Sequence, residues 1–295
     1  MWRGMSGQAG LTPPRKGIKT ELVISTDASF ELFDDQAAMF DRRAGLPVEY
    51  CRAIASAVVE IAQPAPGDLI LEVGPGTGRI GQWFGAPLRY VGIDKSAGML
   101  DQFQSLRGGA AGDQALVRSD ANRSWPLASG VARVIFSSRA MHLLDHEHAA
   151  SEVFRVAAPR GAMLIIGRVE RDPGSVRARM AREMNNGLRR GGYEGHRGEQ
   201  RNRKLFDSCS RRGAQVLEPV AVATWKVLAS PRQSIDSWRC LIGLGGVPVP
   251  AETKERILAE LEIWAEETFG GLDEQFESEE TYILRPVRVP PARAS

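Results

Sequence analysis

Leu69-Ile70-Leu71-Glu72-Val73-Gly74-Pro75-Gly76-Thr77-Gly78-Arg79 is the stretch on which the fold of this 295-residue chain turns. Four apolar residues around one carboxylate read as a short buried strand. Three glycines at alternate positions form a tight turn, and Arg79-Ile80-Gly81-Gln82-Trp83-Phe84 is predicted to open a helix. A strand feeding a helix through glycines brings backbone N–H groups close to a nucleotide in α/β sheets. Glycine suits the turn because a Cβ would obstruct both positive φ angles and close approach.

Gly76-Thr77-Gly78-Arg79-Ile80-Gly81 matches the G-x-G-x-x-G dinucleotide fingerprint by letter, although Gly74 already follows the strand. Glu72 separates the two possible ligands. A carboxylate on a central parallel strand is costly to bury, so it should face a cation at the strand's carboxyl end. A pyrophosphate there would be repelled, whereas the α-ammonium of a methionine moiety would pair with it. The turn is therefore expected to hold S-adenosylmethionine rather than NAD.

Working outward, Leu88–Asp94 reads as a second strand that ends in an acid, twenty residues beyond Gly74. An acid so placed accepts hydrogen bonds from two ribose hydroxyls, or else caps the helix expected over Ser96–Leu106. Ala115–Asp120 is a third strand ending in a second acid. Asp120 is placed to accept from an adenine amino group, with the Ala121 N–H donating to the ring; the plainer alternative is a turn cap. Val131–Ser137 and Ala162–Gly167 are the fourth and fifth strands, with a helix over Glu147–Ala157 between them.

With Glu72, Gly74, Gly76, Gly78, Asp94 and Asp120 in place, the chain resembles the class I S-adenosylmethionine-dependent methyltransferases, in particular the ubiquinone/menaquinone-biosynthesis group that mostly serves small molecules. The resemblance is close over Asp68–Val169. It implies an α/β, Rossmann-like, seven-stranded and mostly parallel sheet with helices on both faces, here with a helical cap. It also implies that Glu72 and the glycines hold the methionine part, Asp94 the ribose and Asp120 the adenine. Lys95, Met99, Ala121 and Ser137 complete the implied cofactor set. Ser137-Ser138-Arg139-Ala140 departs from the (Asn/Asp)-Pro-Pro-(Tyr/Phe) motif of the amino-methylating nucleic-acid and glutamine enzymes, which disfavours that chemistry. In the resembled family the loop after the fourth strand borders the reacting atom. This makes His142 the candidate general base, against a role in packing, and Arg139 a candidate substrate contact.

Composition sets the outer bounds. Hydrophobic residues at 43% and charged residues at 25% are ordinary for a globular protein, and a net charge of +2 gives no overall pull toward nucleic acid or anionic membrane. Cys51, Cys209 and Cys240 lie far apart, so neither a disulfide framework nor a metal site is expected, and a cytoplasmic location is. His146 and His148 sit roughly 200° apart around a helix, off a common metal-binding face. No apolar run approaches a membrane span.

Residues 1–20 are expected to be a flexible tail and 21–66 two helices, the first carrying Phe40 as a lid and substrate candidate. The cofactor core is set at 67–169, a basic cap and helix at 170–214, two last strands with inserted helices at 215–289, and a tail at 290–295. Residues 177–212 hold eleven Arg or Lys against four acids, whereas 252–280 hold eleven acids against Lys254 and Arg256. Such segments could attract one another across the cofactor cleft. The first alone reads as a solvated helix and loop, as a cap that binds an anionic group on the substrate, or, least favoured for want of aromatic residues, as a nucleic-acid contact. Gln215–Leu228 reads as one sixth strand. Trp238 is a pocket candidate, against a place in the core.

The expected activity is methyl transfer to a small-molecule acceptor. The alternatives are a nicotinamide-dependent oxidoreductase and a cofactor-binding protein without turnover; protein or nucleic-acid acceptors are disfavoured.

Overall fold

The computed structural model describes residues 46–107, 114–194 and 198–292. The predicted first helix and Phe40 lie outside them. Helix α1 (Val48–Ala62) buries Cys51, Ile54, Ala55, Val58 and Ala62 at helical spacing. Alternation then follows: β1 (Leu69–Val73), β2 (Arg89–Asp94), α2 (Ala97–Leu106), β3 (Gln114–Arg118), β4 (Ala132–Ser138), α3 (His146–Val156) and β5 (Ala162–Arg171). Next come α4 (Val176–Arg190), α5 (Gly198–Arg211), β6 (Gln215–Val216), β7 (Val220–Ala229), α6 (Pro231–Arg239), α7 (Ala251–Phe269) and β8 (Phe276–Val289). Side-chain oxygens of Ser96, Asp145, Ser175 and Ser230 accept from the first turns of α2, α3, α4 and α6, so four helix starts are set locally.

The sheet runs β3-β2-β1-β4-β5-β8-β6, with β7 also on β8. Strands β1 to β5 are parallel and β8 is antiparallel to β5. The expected single sixth strand is divided. Gln215–Val216 pairs with Val287–Arg288 and Val220 resumes at Leu284, and Pro219 between them has no N–H to give to the ladder. Strands β6 and β7 thus form one interrupted strand beside β8.

Both faces of the sheet are covered, which is why its central strands are apolar runs rather than alternating ones. Leu71, Val73, Ile135, Leu164 and Ile166 face α3 and α5, where Val153, Leu205, Phe206 and Cys209 are buried. Ile70, Val134, Phe136, Met163 and Ile165 face α1, together with Tyr90 and Phe103.

A third core stands apart from the sheet: Val176, Met180, Met184 and Leu188 of α4 pack on Ile235 of α6 and on Ile257, Leu258, Leu261 and Ala265 of α7. These helices leave from the end of β5, the end of β7 and the start of β8. The pairings Arg171↔Glu280 and Ala229↔Phe276 put those points together at the carboxyl edge of the parallel strands. A helical cap therefore stands beyond that edge.

The basic segment divides between two places. Helix α4 belongs to the cap, while α5 packs beside α3 on the sheet. The basic and acidic segments do meet, through Arg190–Glu260 at 3.5 Å and Arg177–Glu280 at 3.1 Å. Both pairs lie within the cap and its root, not across a cofactor cleft, and the exposed Arg190 pair is of a kind worth under about 1 kcal/mol.

Lys254 is buried in the cap, where its Nζ donates to the carbonyls of Arg239 (2.7 Å) and Leu241 at the end of α6. Lys254→Ala removes the donor from both, and we expect a loss of about 1–3 kcal/mol. Denaturant unfolding of the variant against the parent protein checks this.

Candidate active site

Chain order sends β1 toward β2 and β4 toward β5, on opposite sides of the β1–β4 pair. In open α/β sheets such a reversal opens a crevice at the carboxyl ends of the strands. The glycine turn forms one lip of this crevice and the segment 139–143 the other. Gly74, Gly76 and Gly78 have φ of 71°, 56° and 79°. A Cβ on Gly74 would lie 2.3 Å from the Cβ of Ala140, and one on Gly78 would lie 2.1 Å from the Phe103 ring. A Cβ on Gly76 would meet nothing within 4 Å. Two glycines thus serve packing, and Gly76 faces the open crevice.

The helix expected to open at Arg79 is absent. A single 3-10 turn, Gly81–Trp83, takes its place before β2. A Cβ on Gly81 would stand 2.5 Å from Tyr90 Oη and 2.6 Å from Glu72 Oε2, so the chain passes too close to the sheet for an ordinary helix residue. Gly85 and Pro87 break helical continuation further. The glycine N–H groups are also spent internally: Gly74 donates to Ile93 O, Gly76 to Asp94 Oδ2 (3.0 Å) and Gly78 to Pro75 O. Phosphate cradles need free N–H groups at a helix start; here the three glycine N–H groups are engaged and no α-helix follows.

Behind the turn lie two carboxyls. Glu72 is 1% exposed and its Oε2 accepts from Tyr90 Oη at 2.7 Å. Its partner is this phenol, not the cation expected from the sequence. Burial, and secondarily the charge of Asp94, raise its pKa to about 8 although the Tyr90 hydrogen bond opposes them. Burial also raises the pKa of Asp94, against the N–H groups of Ser96 and Gly76 that bind its two oxygens at 3.0 Å. Asp94 therefore ties the glycine turn to the start of α2, while Ser96 rather than Asp94 caps that helix.

The remaining expected cofactor residues divide. Asp120 follows β3 and accepts from the Asn122 N–H at 2.9 Å, the turn-capping arrangement. Trp125 Nε1 donates to the Ala121 carbonyl at 3.0 Å, leaving the Ala121 N–H for other use. Lys95 and Met99 flank the Ser96 cap, with Met99 buried. Ser137 is fully buried, and its hydroxyl donates to Val73 O at 2.7 Å, clasping β4 to β1.

Across the crevice, Arg139 holds φ 58° and its N–H donates to Gly167 O. Arg139 and His142 line a cavity of about 300 Å³ with Met141, Ile166, Arg168 and Arg171, and with Glu199 and Asn202 of α5. Arg201 of α5 reaches the His142 carbonyl at 3.4 Å, so the basic helix braces this loop. Trp238 lies elsewhere. It packs against the cap's own core, and it does not line this cavity.

Arg168, Arg171, Glu199 and Asn202 were not expected from the sequence. Arg168-Val169-Glu170-Arg171 prolongs β5 in strand alternation, a signal readable once the strand is carried past Gly167. Glu199 and Asn202 carry no such signal, since only the docking of α5 brings them here. Among the described residues no group of three or more His, Cys, Asp or Glu could hold a metal, and no helix is long and apolar enough to cross a membrane.

A Glu72 pKa of about 8, against an ordinary 4.5, means the folded chain keeps a proton that the unfolded chain releases. Raising the pH across that interval must therefore cost stability, and Gln in its place cannot ionise. We expect Glu72→Gln to melt close to the parent protein near the acid end of the interval and progressively above it toward the alkaline end. Thermal melts of both across the interval test this; a gap that does not widen would contradict it.

Residues 70–161, from β1 to the turn before β5, match the family described as methyltransferase domain. No curated protein sequence matches the chain. Among solved structures, BH2331 of Bacillus halodurans superposes with a TM-score of 0.52 at 14% identity, covering 80% of this chain and 98% of its own. YcgJ of Bacillus subtilis gives 0.51 at 17% identity, with 81% and 98% covered. The [4+2]-cyclase SpnF gives 0.52 at 15% identity, with 90% and 96% covered. Likeness at such identity establishes the fold alone, and the cyclase shows that this fold serves more than one chemistry. The family match adds to the fold: residues 70–161 of this chain carry a methyltransferase domain.

Proposed function

We propose that the chain transfers the methyl group of S-adenosylmethionine to a small-molecule acceptor held over the carboxyl ends of β4 and β5. The carrying observation is the glycine turn, whose three glycine N–H groups are spent within the protein and whose back is formed by two carboxyls. Such a surface favours a cation over a pyrophosphate, which sets aside the nicotinamide alternative. Gly76, with open space where its Cβ would be, allows the close approach.

Glu72 then takes the ligand's ammonium, releasing the proton that burial holds on it. Asp94 keeps one N–H on each oxygen and has lone pairs left for two ribose hydroxyls. Asp120 and the Ala121 N–H stand at the end of β3 for the adenine. The cofactor supplies an activated methyl carbon and leaves as a neutral thioether. The protein's task is alignment and exclusion of water. The cavity beside Ala140, at about 300 Å³, is at the small end of ligand sites and suits a small acceptor. His142 lines it and can receive a proton from an oxygen or nitrogen acceptor; a carbon or sulfur acceptor would leave it a packing role.

Incubation of the protein with methyl-labelled cofactor and small-solute extract tests this. Label is expected in small molecules; label confined to protein or nucleic acid would overturn the acceptor class, and cofactor binding without transfer would overturn turnover. Asp94→Ala should weaken S-adenosylhomocysteine binding by roughly thirty- to a hundredfold, the loss of two hydrogen bonds to a carboxylate. Calorimetric titration reads it.

A further inference from the structure

We propose that the cavity at the ends of β4 and β5 is an anion subsite, which binds a carboxylate or phosphate group of the acceptor. The proposal rests on the methyl-transfer reading of the neighbouring crevice and names a chemical class for the molecule that enters it.

The cavity has an apolar floor of Met141, Ile166 and Val169 and a charged wall of Arg139, Arg168, Arg171 and Glu199. Next to this wall, Arg285 and Glu170 stand on the Arg168 face of the β5–β8 pair, and Glu280, with Arg177, on the Arg171 face. Each of the three carboxylates is shared between two guanidiniums. Glu170 meets Arg168 at 3.1 Å and Arg285 at 3.0 Å; Glu199 meets Arg168 and, at 3.8 Å, Arg285; Glu280 meets Arg171 at 2.7 Å and Arg177 at 3.1 Å. In these pairs, four guanidiniums (Arg168, Arg171, Arg177 and Arg285) share three carboxylates.

Donor capacity is in surplus as well as charge. A guanidinium carries five N–H donors, and Nε of both Arg168 and Arg285 is buried without a hydrogen-bond acceptor. The buried Asn202 amide oxygen also lacks a donor. That amide can present either end to a ligand oxygen or hydroxyl. Planar guanidiniums with free N–H groups match the oxygens of carboxylate and phosphate in pairs.

Placement supports use in the reaction. Arg139 sits in the left-handed region, uncommon for a residue with a Cβ and found disproportionately at functional sites. The next residue, Ala140, is the one that packs against Gly74. An anion on this wall would thus lie beside the crevice in which the methyl group moves, and on the side away from Glu72 and Asp94.

The test uses the full chain in two steps. Calorimetry first measures S-adenosylhomocysteine; the loaded protein is then titrated with inorganic phosphate and, separately, acetate, with chloride holding ionic strength equal. Arg139→Asn keeps a residue that tolerates positive φ, and Arg171→Gln alters a more exposed part of the wall. Saturable binding of phosphate or acetate is expected, weakened about tenfold or more in at least one variant, with S-adenosylhomocysteine affinity changed less than about twofold. Preference for phosphate assigns a phosphorylated acceptor, and preference for acetate a carboxylic one. If S-adenosylhomocysteine binds but neither anion does, or both variants bind the anion as the parent does, the subsite is overturned and the crevice reading stands. If S-adenosylhomocysteine itself fails to bind, the crevice reading falls and takes the subsite with it.

Discussion

A carboxyl group buried at the end of β1, held by a single phenol, sets the character of the crevice. Glu72 is out of water and hydrogen-bonded to Tyr90, and the next carboxyl, Asp94, pins the glycine turn directly above β2. Burial makes the ionised form of Glu72 expensive, so this half of the crevice favours an incoming positive charge. The other half has the opposite sign, with Arg139, Arg168 and Arg171 around an apolar floor. One crevice thus offers acids to a cationic methyl donor and guanidiniums to the acceptor.

The fold holds these halves apart by economical means. A 3-10 turn replaces the usual helix after the glycines, so the chain runs close over Glu72 and Tyr90, and Gly81 is the residue that permits it. Ser137 fastens β4 to the last residue of β1 from below, and Ala140 meets Gly74 from above. Helix α5, rich in cations, buries Leu205, Phe206 and Cys209 against the sheet and turns Glu199, Arg201 and Asn202 toward the acceptor side. The cap has a core of its own and is rooted at the same edge through the Arg171–Glu280–Arg177 cluster.

How much of this is legible in the sequence depends on the range of the interaction concerned. Strands β1 to β5 and helices α1 to α3 are written in local runs and periodicity and emerge close to their expected bounds, with β5 four residues longer. The acids at 94 and 120 follow from the ends of their strands. The partner of Glu72 does not, because Tyr90 looks like one more apolar strand residue until pairing sets β2 beside β1. Ser137 and Trp238 resemble site residues by position and type, yet strand alternation turns one hydroxyl inward and cap packing engages the indole. The break at Pro219 was visible as a proline, but its effect on the ladder depends on β8, some sixty residues away. The arginine wall needs three distant segments, around 139, 168 and 199, and no local pattern announces it.

The central claim, that Glu72 receives the cationic end of the cofactor, is tested most directly by counting protons. S-adenosylhomocysteine is titrated calorimetrically at neutral pH in buffers of differing ionisation enthalpy, and the slope gives the protons exchanged on binding. With a pKa of about 8, Glu72 is mostly protonated in the free protein, and pairing with an ammonium must expel that proton. A release approaching one proton per molecule bound, lost in Glu72→Gln, is the predicted result. Binding with no proton release would contradict it and put the ammonium elsewhere.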